Sequence, residues 1–279
     1  MLEKKTFYHG GIMGDPDILR LIASKTGLGL NYLSKDEKIS VLLTQLNIEF
    51  PENVFLKGGT AINRVYLRER GRFSEDIDLD FIIQQNLSQK IKKLTEKMKN
   101  IEGFDISKPR IMHRTVRFDC GYINEFGQKD RVQVEFYLSY KRLLCARKME
   151  KRIITSHFME TSPTLFNVYS FEDLLGRKII TLFNRLEGKD IYDVFHALEL
   201  KIDFLSLHKA MEILLHFYRI QHNIETFLEK LKAKLEDAEK KASYIGNATN
   251  HFIPRDLRPE WEIFIASLII KIEELKSKL

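Results

Sequence analysis

RFSEDIDLD, residues 72–80, is the stretch of this 279-residue chain that decides its fold. Acidic and apolar residues alternate in its second half, so on a β-strand Asp76, Asp78 and Asp80 share one face. Carboxylates this close repel each other unless a cation lies among them, and Mg²⁺ is the hard ion that best suits oxygen ligands. We therefore predict a metal site at Asp76 and Asp78. Asp80 lies one alternation farther along the strand, too far to share the metal, and we expect it to be structural or to turn away from the site with the twist of the strand.

A glycine pair lies upstream, in the segment KGGT at residues 57–60. It follows a short apolar segment, residues 53–56, and precedes a helical pattern over residues 61–70, which predicts a strand, a turn and a helix. Gly58 and Gly59 carry no Cβ, so the backbone can approach a ligand closely, and a phosphate suits a turn that opens a helix. The sequence therefore predicts a phosphate-binding turn.

Three polar side chains near this turn complete the candidate site. Ser74 can add a hydroxyl contact, while Lys57 and Arg72 can neutralise charge that develops on a phosphate. Each signal alone is weak, because a glycine pair before a helix is typical of a tight turn and a run of acids is typical of a solvated face. Their combination in one short segment is far more specific than either part.

The chain before this segment is predicted to be helical over residues 15–50. Ser34 is expected to be the N-cap there, with Glu37 completing a capping box. After the acidic strand, Ser88 is expected to cap a lysine-rich amphipathic helix over residues 88–100.

Two β-rich segments, residues 111–122 and 131–140, are separated by a turn-like sequence and are predicted to form a hairpin. Beyond residue 151 the pattern is helical almost throughout. The predicted helices cover residues 171–186, 190–200, 206–216, 224–243 and 259–279. We therefore expect an α+β fold in two domains, a mixed β-sheet with flanking helices in residues 1–162 and a helical domain in residues 163–279.

Composition and charge limit the classes of function. The chain is 44% hydrophobic and 30% charged, and no apolar run approaches the roughly 18 residues that a membrane span needs. Residues 1–11 lack the apolar run of a secretory signal, so we expect a cytoplasmic protein. The net charge of +6 and a pI near 9.1 favour a polyanionic partner, either nucleic acid or nucleotide. Cys120 and Cys145 are too few for a disulfide framework, and the histidines show no paired metal spacing.

A strand, a glycine pair, a helix and then RxSxDxD opening an apolar strand is the pattern of the polymerase-β-like nucleotidyltransferase superfamily. KGGTA and RFSEDIDLDF resemble one branch of it closely, the AbiEii/MenT group of nucleotidyltransferase toxins from toxin–antitoxin systems. Lys178, Arg185 and the run KDIYD at residues 189–193 also resemble a K…R…KDxxD segment of that group. The resemblance covers about residues 50–200.

The resemblance implies a polymerase-β-like domain followed by a helical domain, and transfer of a nucleoside monophosphate from an NTP to an acceptor hydroxyl. The acceptor would be an RNA, such as the 3′ end of a tRNA, or a protein. The cofactor would be Mg²⁺, with Mn²⁺ as the alternative, and a cognate antitoxin protein would be a partner. By the same resemblance, Lys178 would hold the NTP phosphates, and Asp190 or Asp193 would help to activate the acceptor.

In that superfamily a third carboxylate commonly comes from a neighbouring strand, and Glu135 is our choice. It alternates with apolar residues in the segment RVQVEF, residues 131–136, which places it on the polar face. The alternatives are an exposed glutamate on an edge strand, or Asp119 in the same role. For Asp190 the alternative is a helix N-cap, and for Lys178 it is a solvent-facing lysine beside an apolar stripe.

Two other functions remain open from the sequence. One is an enzyme of the same fold with a housekeeping or small-molecule acceptor. The other is a catalytically silent module that binds nucleotide or RNA, against which the intact Gly58, Gly59, Ser74, Asp76 and Asp78 argue.

Overall fold

The computed structural model describes residues 14–138, 145–147 and 149–279. Within these residues, eight strands form one mixed sheet. The strands are β1 (Val54–Lys57), β2 (Asp76–Phe81), β3 (Asp105–Ile106), β4 (Arg110–Met112), β5 (Thr115–Ile123), β6 (Lys129–Leu138), β7 (Glu150–Ile154) and β8 (Thr164–Val168). Their order is β3-β5-β6-β2-β1-β8-β7, and β4 pairs with β5 outside this path. The predicted hairpin of β5 and β6 is confirmed.

Helices pack on this sheet and make up most of the second half of the chain. They are α1 (Pro16–Thr26), α2 (Leu30–Glu49), α3 (Gly58–Ala61), α4 (Leu87–Met98), α5 (Phe171–Arg185), α6 (Gly188–Ala197), α7 (Phe204–Phe217), α8 (Ile224–Glu239), α9 (Ala242–Thr249) and α10 (Trp261–Lys278). A π-helical turn, Ile62–Leu67, and a 3₁₀ turn, Arg68–Arg70, continue α3. The α+β fold predicted from the sequence is confirmed.

The alternation in β2 decides which face of the sheet becomes the core. Ile77 and Leu79 are fully buried and share a hydrophobic cluster with Leu42 of α2 and Leu94 of α4. Burial of each such side chain contributes about 1.5–3 kcal/mol. The acidic residues of β2 therefore lie on the opposite face of the sheet, as the sequence predicts.

A second hydrophobic cluster holds the helical half together. It includes Ile179 of α5, Leu228 of α8 and Leu268 of α10. Ile62 and Leu67, in the turn that continues α3, are buried in the same cluster. The segment directly after the glycine pair thus ties the sheet to the helical half.

Both predicted helix caps are wrong. Asp15 caps α1, and Gly27 ends it in a left-handed conformation, so α2 begins at Leu30 and Ser34 lies inside it. The Ser34 hydroxyl donates instead to the carboxylate of Glu125, a partner distant in sequence. In α4 the cap is Asn86, two residues before Ser88, and Gln89 completes the capping box. Asn86 takes the role because its side chain accepts from the Gln89 N–H.

Two strands lie in the region beyond residue 151 that the sequence predicts to be helical. β8 pairs in parallel with β1 and antiparallel with β7. Most of β7 is exposed, so it lacks the alternation that would have marked it as a strand. The sheet therefore runs on to Val168, and the division at residue 163 stays a prediction. The predicted helix over residues 224–243 ends at Glu239, and α9 follows separately.

Some predictions concern segments that lie outside the described residues. These are the N-terminal residues 1–11 and residues 139–140 of the predicted second hairpin strand. In the part of the chain that the structure describes, no helix is both long enough and apolar enough to cross a membrane.

Candidate active site

The register of the sheet brings the candidate carboxylates together. Asp78 lies opposite Lys57 of β1 on one side and opposite Glu135 of β6 on the other. Asp76 lies opposite Gln133 in the same parallel pairing. Because directly paired residues share a face, Asp76, Asp78 and Glu135 lie together on the face away from the core. Alternation in the sequence predicts a polar face on each strand, and the pairing of β2 with β6 places the two polar faces on the same side of the sheet.

The electrostatics of this face suit a cation. Burial raises the pKa of Asp76 to about 6, with further contributions from the neighbouring Asp78 and Glu75. Burial also raises the pKa of Asp78, with Lys57 opposing the shift and Glu135 adding to it. Raised pKa values mean that ionised carboxylates here lack sufficient positive charge nearby. A divalent cation would supply that charge, so Asp76 and Asp78 fit one.

Glu135 is already engaged by a cation of the protein. Arg117 lies opposite it on β5, and its guanidinium forms an ion pair with the Glu135 carboxylate. Among the described residues, no set of three or more His, Cys, Asp or Glu side chains is already arranged to hold a metal ion. The fit to a cation therefore rests on the pair of aspartates, since the Glu135 carboxylate is paired with Arg117.

Asp119, the competing candidate, lies one strand farther from the two aspartates. It sits on β5 opposite Gln133 and forms ion pairs with Arg110 and Arg131. β5 pairs with β6 and not with β2, so Glu135 is the nearer neighbour of Asp78.

The glycine turn packs directly against these acids. Gly58 has a φ of +71°, and a Cβ built on it would lie 2.9 Å from the Cβ of Asp78. A Cβ on Gly59 would lie 2.7 Å from the Ser74 hydroxyl. The Thr60 hydroxyl donates to the backbone carbonyl of Asp76, which fixes the turn to the start of β2. Only glycine permits this approach, and the helix begins at Gly58 instead of the predicted residue 61.

Lys57 lies beside the acids but is bound to the third aspartate of the strand. Its ammonium forms an ion pair with Asp80 and lies 4.9 Å from the centre of the Tyr137 ring. Asp80 is buried and also accepts a hydrogen bond from the Tyr169 hydroxyl. Asp80 is therefore held by protein partners, farther along β2 than the aspartate pair.

A buried ionic cluster joins the start of β2 to the helical half. Lys178 Nζ lies 3.0 Å from Asp190 Oδ1 and 2.6 Å from Asp193 Oδ2. Arg72 lies 2.7 Å from Asp193 Oδ2, and Arg185 lies 2.6 Å from Asp190 Oδ2. Asn63 donates to Asp193 Oδ1 at 3.1 Å. The structure thus brings Arg72, Lys178, Arg185, Asp190 and Asp193 of the predicted site into one network.

Three cations and two carboxylates meet in this cluster, so most of its charge is neutralised internally. Burial alone would raise the pKa values of Asp190 and Asp193, but the ion pair with Lys178 helps to hold both below their usual range. Lys178 and Arg185 also oppose the rise in the pKa of Asp78 that burial causes, so their positive charge reaches the aspartate pair. The cluster therefore supplies cations on one side of the carboxylate face.

Two alternative interpretations from the sequence are wrong. Lys178 is 7% exposed, so it is not a solvent-facing lysine. Asp190 lies inside the first turn of α6, which begins at Gly188, and its carboxylate binds Lys178 and Arg185 instead of capping the helix. Both side chains face inward because their charges neutralise each other there.

Sequence reasoning missed two residues of this site, Arg117 and Asn63. Arg117 alternates with apolar residues on β5 as Glu135 does on β6, so its face could have been read from the pattern. Its pairing with Glu135 could not, because that depends on the register. Asn63 lies in the turn that continues α3, and its contact with Asp193 joins residues 130 positions apart, which a local pattern does not indicate.

Comparison with known proteins gives one family and several similar folds. The family model described as nucleotidyl transferase AbiEii toxin, of a type IV toxin–antitoxin system, matches residues 41–274. No curated protein matches the chain.

Among solved structures, MenT4, a nucleotidyltransferase toxin from Mycobacterium tuberculosis H37Rv, has a TM-score of 0.56 at 15% sequence identity, over 94% of each chain. JHP933 from Helicobacter pylori has a TM-score of 0.55 at 16% identity, over 90% of this chain and 94% of that one. At such identities the likeness concerns the fold alone.

Proposed function

This chain belongs to the AbiEii family of nucleotidyltransferase toxins, and we propose that it transfers a nucleoside monophosphate from an NTP to an acceptor hydroxyl at the face formed by Asp76, Asp78 and Glu135. The family match covers residues 41–274, so the resemblance of about residues 50–200 to this family is confirmed. A toxin of such a system implies a cognate antitoxin and a nucleotide substrate. The residues, the metal and the acceptor are our proposal.

One observation carries the assignment of the residues. The turn at Gly58 lies so close to Asp78 that a single added methyl group would collide with that side chain. The turn lets phosphates approach the backbone closely, and the adjacent carboxylates have raised pKa values that favour a cation. Together these features support the binding of a triphosphate with a cation at this place. Gly58, Gly59 and Ser74 are the proposed contacts of the phosphates, with Arg72 and Lys178 supplying positive charge.

The proposed reaction is an in-line displacement at the α-phosphate. The acceptor oxygen forms a bond to the α-phosphorus, the bond from that phosphorus to the bridging oxygen of the β-phosphate breaks, and pyrophosphate leaves. Bound at Asp76 and Asp78, Mg²⁺ or Mn²⁺ would neutralise the charge of the triphosphate. The chain itself positions the two reactants and balances charge, which carries most of such a reaction.

Glu135 is the proposed acceptor of the proton that the attacking hydroxyl loses. It neighbours Asp78 in the register, and it is less buried than the two acids of the ionic cluster. The family resemblance implies Asp190 or Asp193 as the residue that activates the acceptor, but each is fully buried in ion pairs. We assign them instead to holding Lys178 and Arg72 in place.

The acceptor is proposed to be RNA, with a protein hydroxyl as the alternative. The net charge of +6 supports a polyanionic acceptor through the long-range field of the protein. A small-molecule acceptor would need no such field.

A labelling experiment tests the proposal. The purified protein is incubated with each NTP labelled at the α-phosphate, Mg²⁺, and either total RNA or a cell lysate. We expect label in the RNA fraction with the wild type and none with Asp76→Ala or Asp78→Ala. Asp237→Ala is the matched control, since Asp237 is an exposed aspartate of α8. Equal labelling by Asp78→Ala and the wild type would contradict the assignment, and label in protein alone would identify the other acceptor class.

A further inference from the structure

Four aromatic side chains from three separate segments meet beside the start of β2. The Tyr32 ring of α2 lies 5.1 Å from the ring of Phe73 and 5.4 Å from that of Phe252, measured between centroids. The His251 ring stacks on Tyr32 at 5.8 Å, with 25° between the planes, and lies 3.9 Å from the Phe252 ring. We call these four residues the aromatic cluster.

The aromatic cluster adjoins the aspartate pair. The backbone N–H of Phe73 donates to the carbonyl of Phe252 at 2.8 Å, so the cluster is fixed to the segment that leads into Asp76. Lys189 Nζ lies 4.5 Å from the centre of the Phe252 ring and 3.4 Å from Glu75. Lys189 and Glu75 both act on the charge of Asp76, which places them beside that carboxylate.

The cluster is not simply part of the core. Phe73 and Phe252 are buried, but Tyr32 is only half-buried and His251 is exposed. Because Tyr32 and His251 stack on each other, the exposed His251 ring is the one that can receive a further ring, and Tyr32 with the two buried rings holds it in place.

We propose that Tyr32 and His251 form a stacking platform for a nucleobase that is brought to the aspartate pair. The chemistry is that of a flat aromatic ring on an aromatic surface, which every base can satisfy. Lys189 contacts the Phe252 ring of the cluster and the Glu75 carboxylate next to Asp76 in the chain, and it offers positive charge to a phosphate attached to that base. The inference rests on the proposed function, because the carboxylate face is what would bring a nucleotide or an RNA end to this place.

Two sources of such a base exist, the NTP and the acceptor RNA, and separate titrations distinguish them. The probes are the four NTPs in non-hydrolysable α,β-methylene form, with Mg²⁺, and a short single-stranded RNA of mixed sequence. Dissociation constants are measured for the wild type, His251→Ala, His251→Trp, Tyr32→Leu and Tyr32→Phe. His216→Ala is the control, since His216 is an exposed histidine of α7 outside the cluster.

Loss of one stacking ring should weaken binding about tenfold. We expect this loss for His251→Ala and Tyr32→Leu, wild-type binding for Tyr32→Phe and His216→Ala, and equal or tighter binding for His251→Trp. A loss confined to the NTP analogues assigns the platform to the nucleotide base, and a loss confined to RNA assigns it to the acceptor. If the wild type binds both probes and His251→Ala has the same dissociation constants, the platform is overturned. A wild type that binds neither probe overturns the proposed function as well.

Discussion

Lys178 is the residue whose role changes most between sequence and structure. The alternative from the sequence, a solvent-facing lysine beside an apolar stripe, predicts that its removal leaves stability unchanged. In the structure Lys178 instead neutralises two fully buried carboxylates. Removing one partner of a buried ion pair leaves an uncompensated charge in a medium of low dielectric constant. Asp190 keeps Arg185 and Asp193 keeps Arg72, so the loss is partly compensated.

We therefore expect Lys178→Met to lower the free energy of unfolding by about 3 kcal/mol, besides reducing nucleotide transfer. Urea unfolding at neutral pH measures the change. Lys240→Met is the matched control, since Lys240 pairs with Asp237 on the surface, and we expect it to leave stability nearly unchanged. An equally stable Lys178→Met variant would mean that the buried network does not hold in solution.

His157 provides a test of burial through pH. Burial lowers its pKa below the ordinary value of 6.5, and Asp36 and Glu69 oppose the shift while Arg64 adds to it. Its Nε2 lies 3.2 Å from the carbonyl oxygen of Gly71, and its buried Nδ1 has no hydrogen-bond partner among the residues that the structure describes. The unfolded chain therefore binds a proton more readily than the folded one, and stability falls as the pH drops below about 6.5.

For His157→Gln we expect a shallower loss of stability between pH 7.5 and pH 5.5 than for the wild type, because glutamine does not titrate. Free energies of unfolding in urea at several pH values measure the slopes. Two other histidines, His196 and His251, also have lowered pKa values and titrate in both proteins, so the difference between the slopes isolates His157. Parallel slopes would show that His157 is not buried.

At the scale of elements, the glycine pair that opens α3 directly after β1 governs the position of Asp78. A Cβ on Gly58 meets the Cβ of Asp78, which cannot rotate away, and alanine is strained at a φ of +71°. A Cβ on Gly59 meets the Ser74 hydroxyl, which can rotate. We expect Gly58→Ala to reduce transfer about a hundredfold by displacing the carboxylate.

Gly59→Ala is the matched variant and should lose less activity. Initial rates of labelling at saturating NTP compare the two, and circular dichroism checks that both fold. The same loss in both variants would indicate that the turn matters only for folding.

The elements that the sequence predicts well are those whose signal is local. The strict alternation of β2 predicts the strand that carries the carboxylates. The glycine pair predicts a change of direction after β1, but it forms the first turn of α3 instead of preceding the helix. The caps were misplaced because Ser34 bonds to Glu125 in a distant loop and Asn86 competes with Ser88. β7 was missed because an exposed edge strand needs no apolar alternation.

In the candidate site, too, the sequence predicts the contacts that depend on local spacing and not those that depend on tertiary packing. Asp76 and Asp78 share a face through their spacing in one strand, which the sequence contains. The pairing of Arg117 with Glu135 and the burial of Lys178 depend on which strands and helices become neighbours. Such contacts are set by tertiary packing, and one sequence read locally does not specify them.

On the scale of the whole molecule, the carboxylate face lies where the sheet meets the helical half. Asp193 of α6 binds both Asn63 and Arg72, which flank the glycine turn and β2. Ile62 is buried in the helical cluster, one turn after Gly58. A ligand that bridges the turn and the acidic strand should therefore stabilise both halves together.

We expect an NTP to raise the melting temperature of the whole protein only when Mg²⁺ is present. The raised pKa values of Asp76 and Asp78 mean that a triphosphate brought there alone adds negative charge to carboxylates that already repel each other. With the cation, a ligand that binds only the folded state at a hundred times its Kd stabilises it by about 2.7 kcal/mol. That corresponds to a rise of roughly 5–10 °C for a chain of this size.

Differential scanning calorimetry with a non-hydrolysable NTP, with Mg²⁺ or with EDTA, measures the shift. In Asp78→Asn the dependence on Mg²⁺ should disappear together with the shift, whereas Asp237→Asn should behave as the wild type. A shift of equal size in EDTA would place the triphosphate away from the two aspartates, because its binding would then be independent of the charge that they carry.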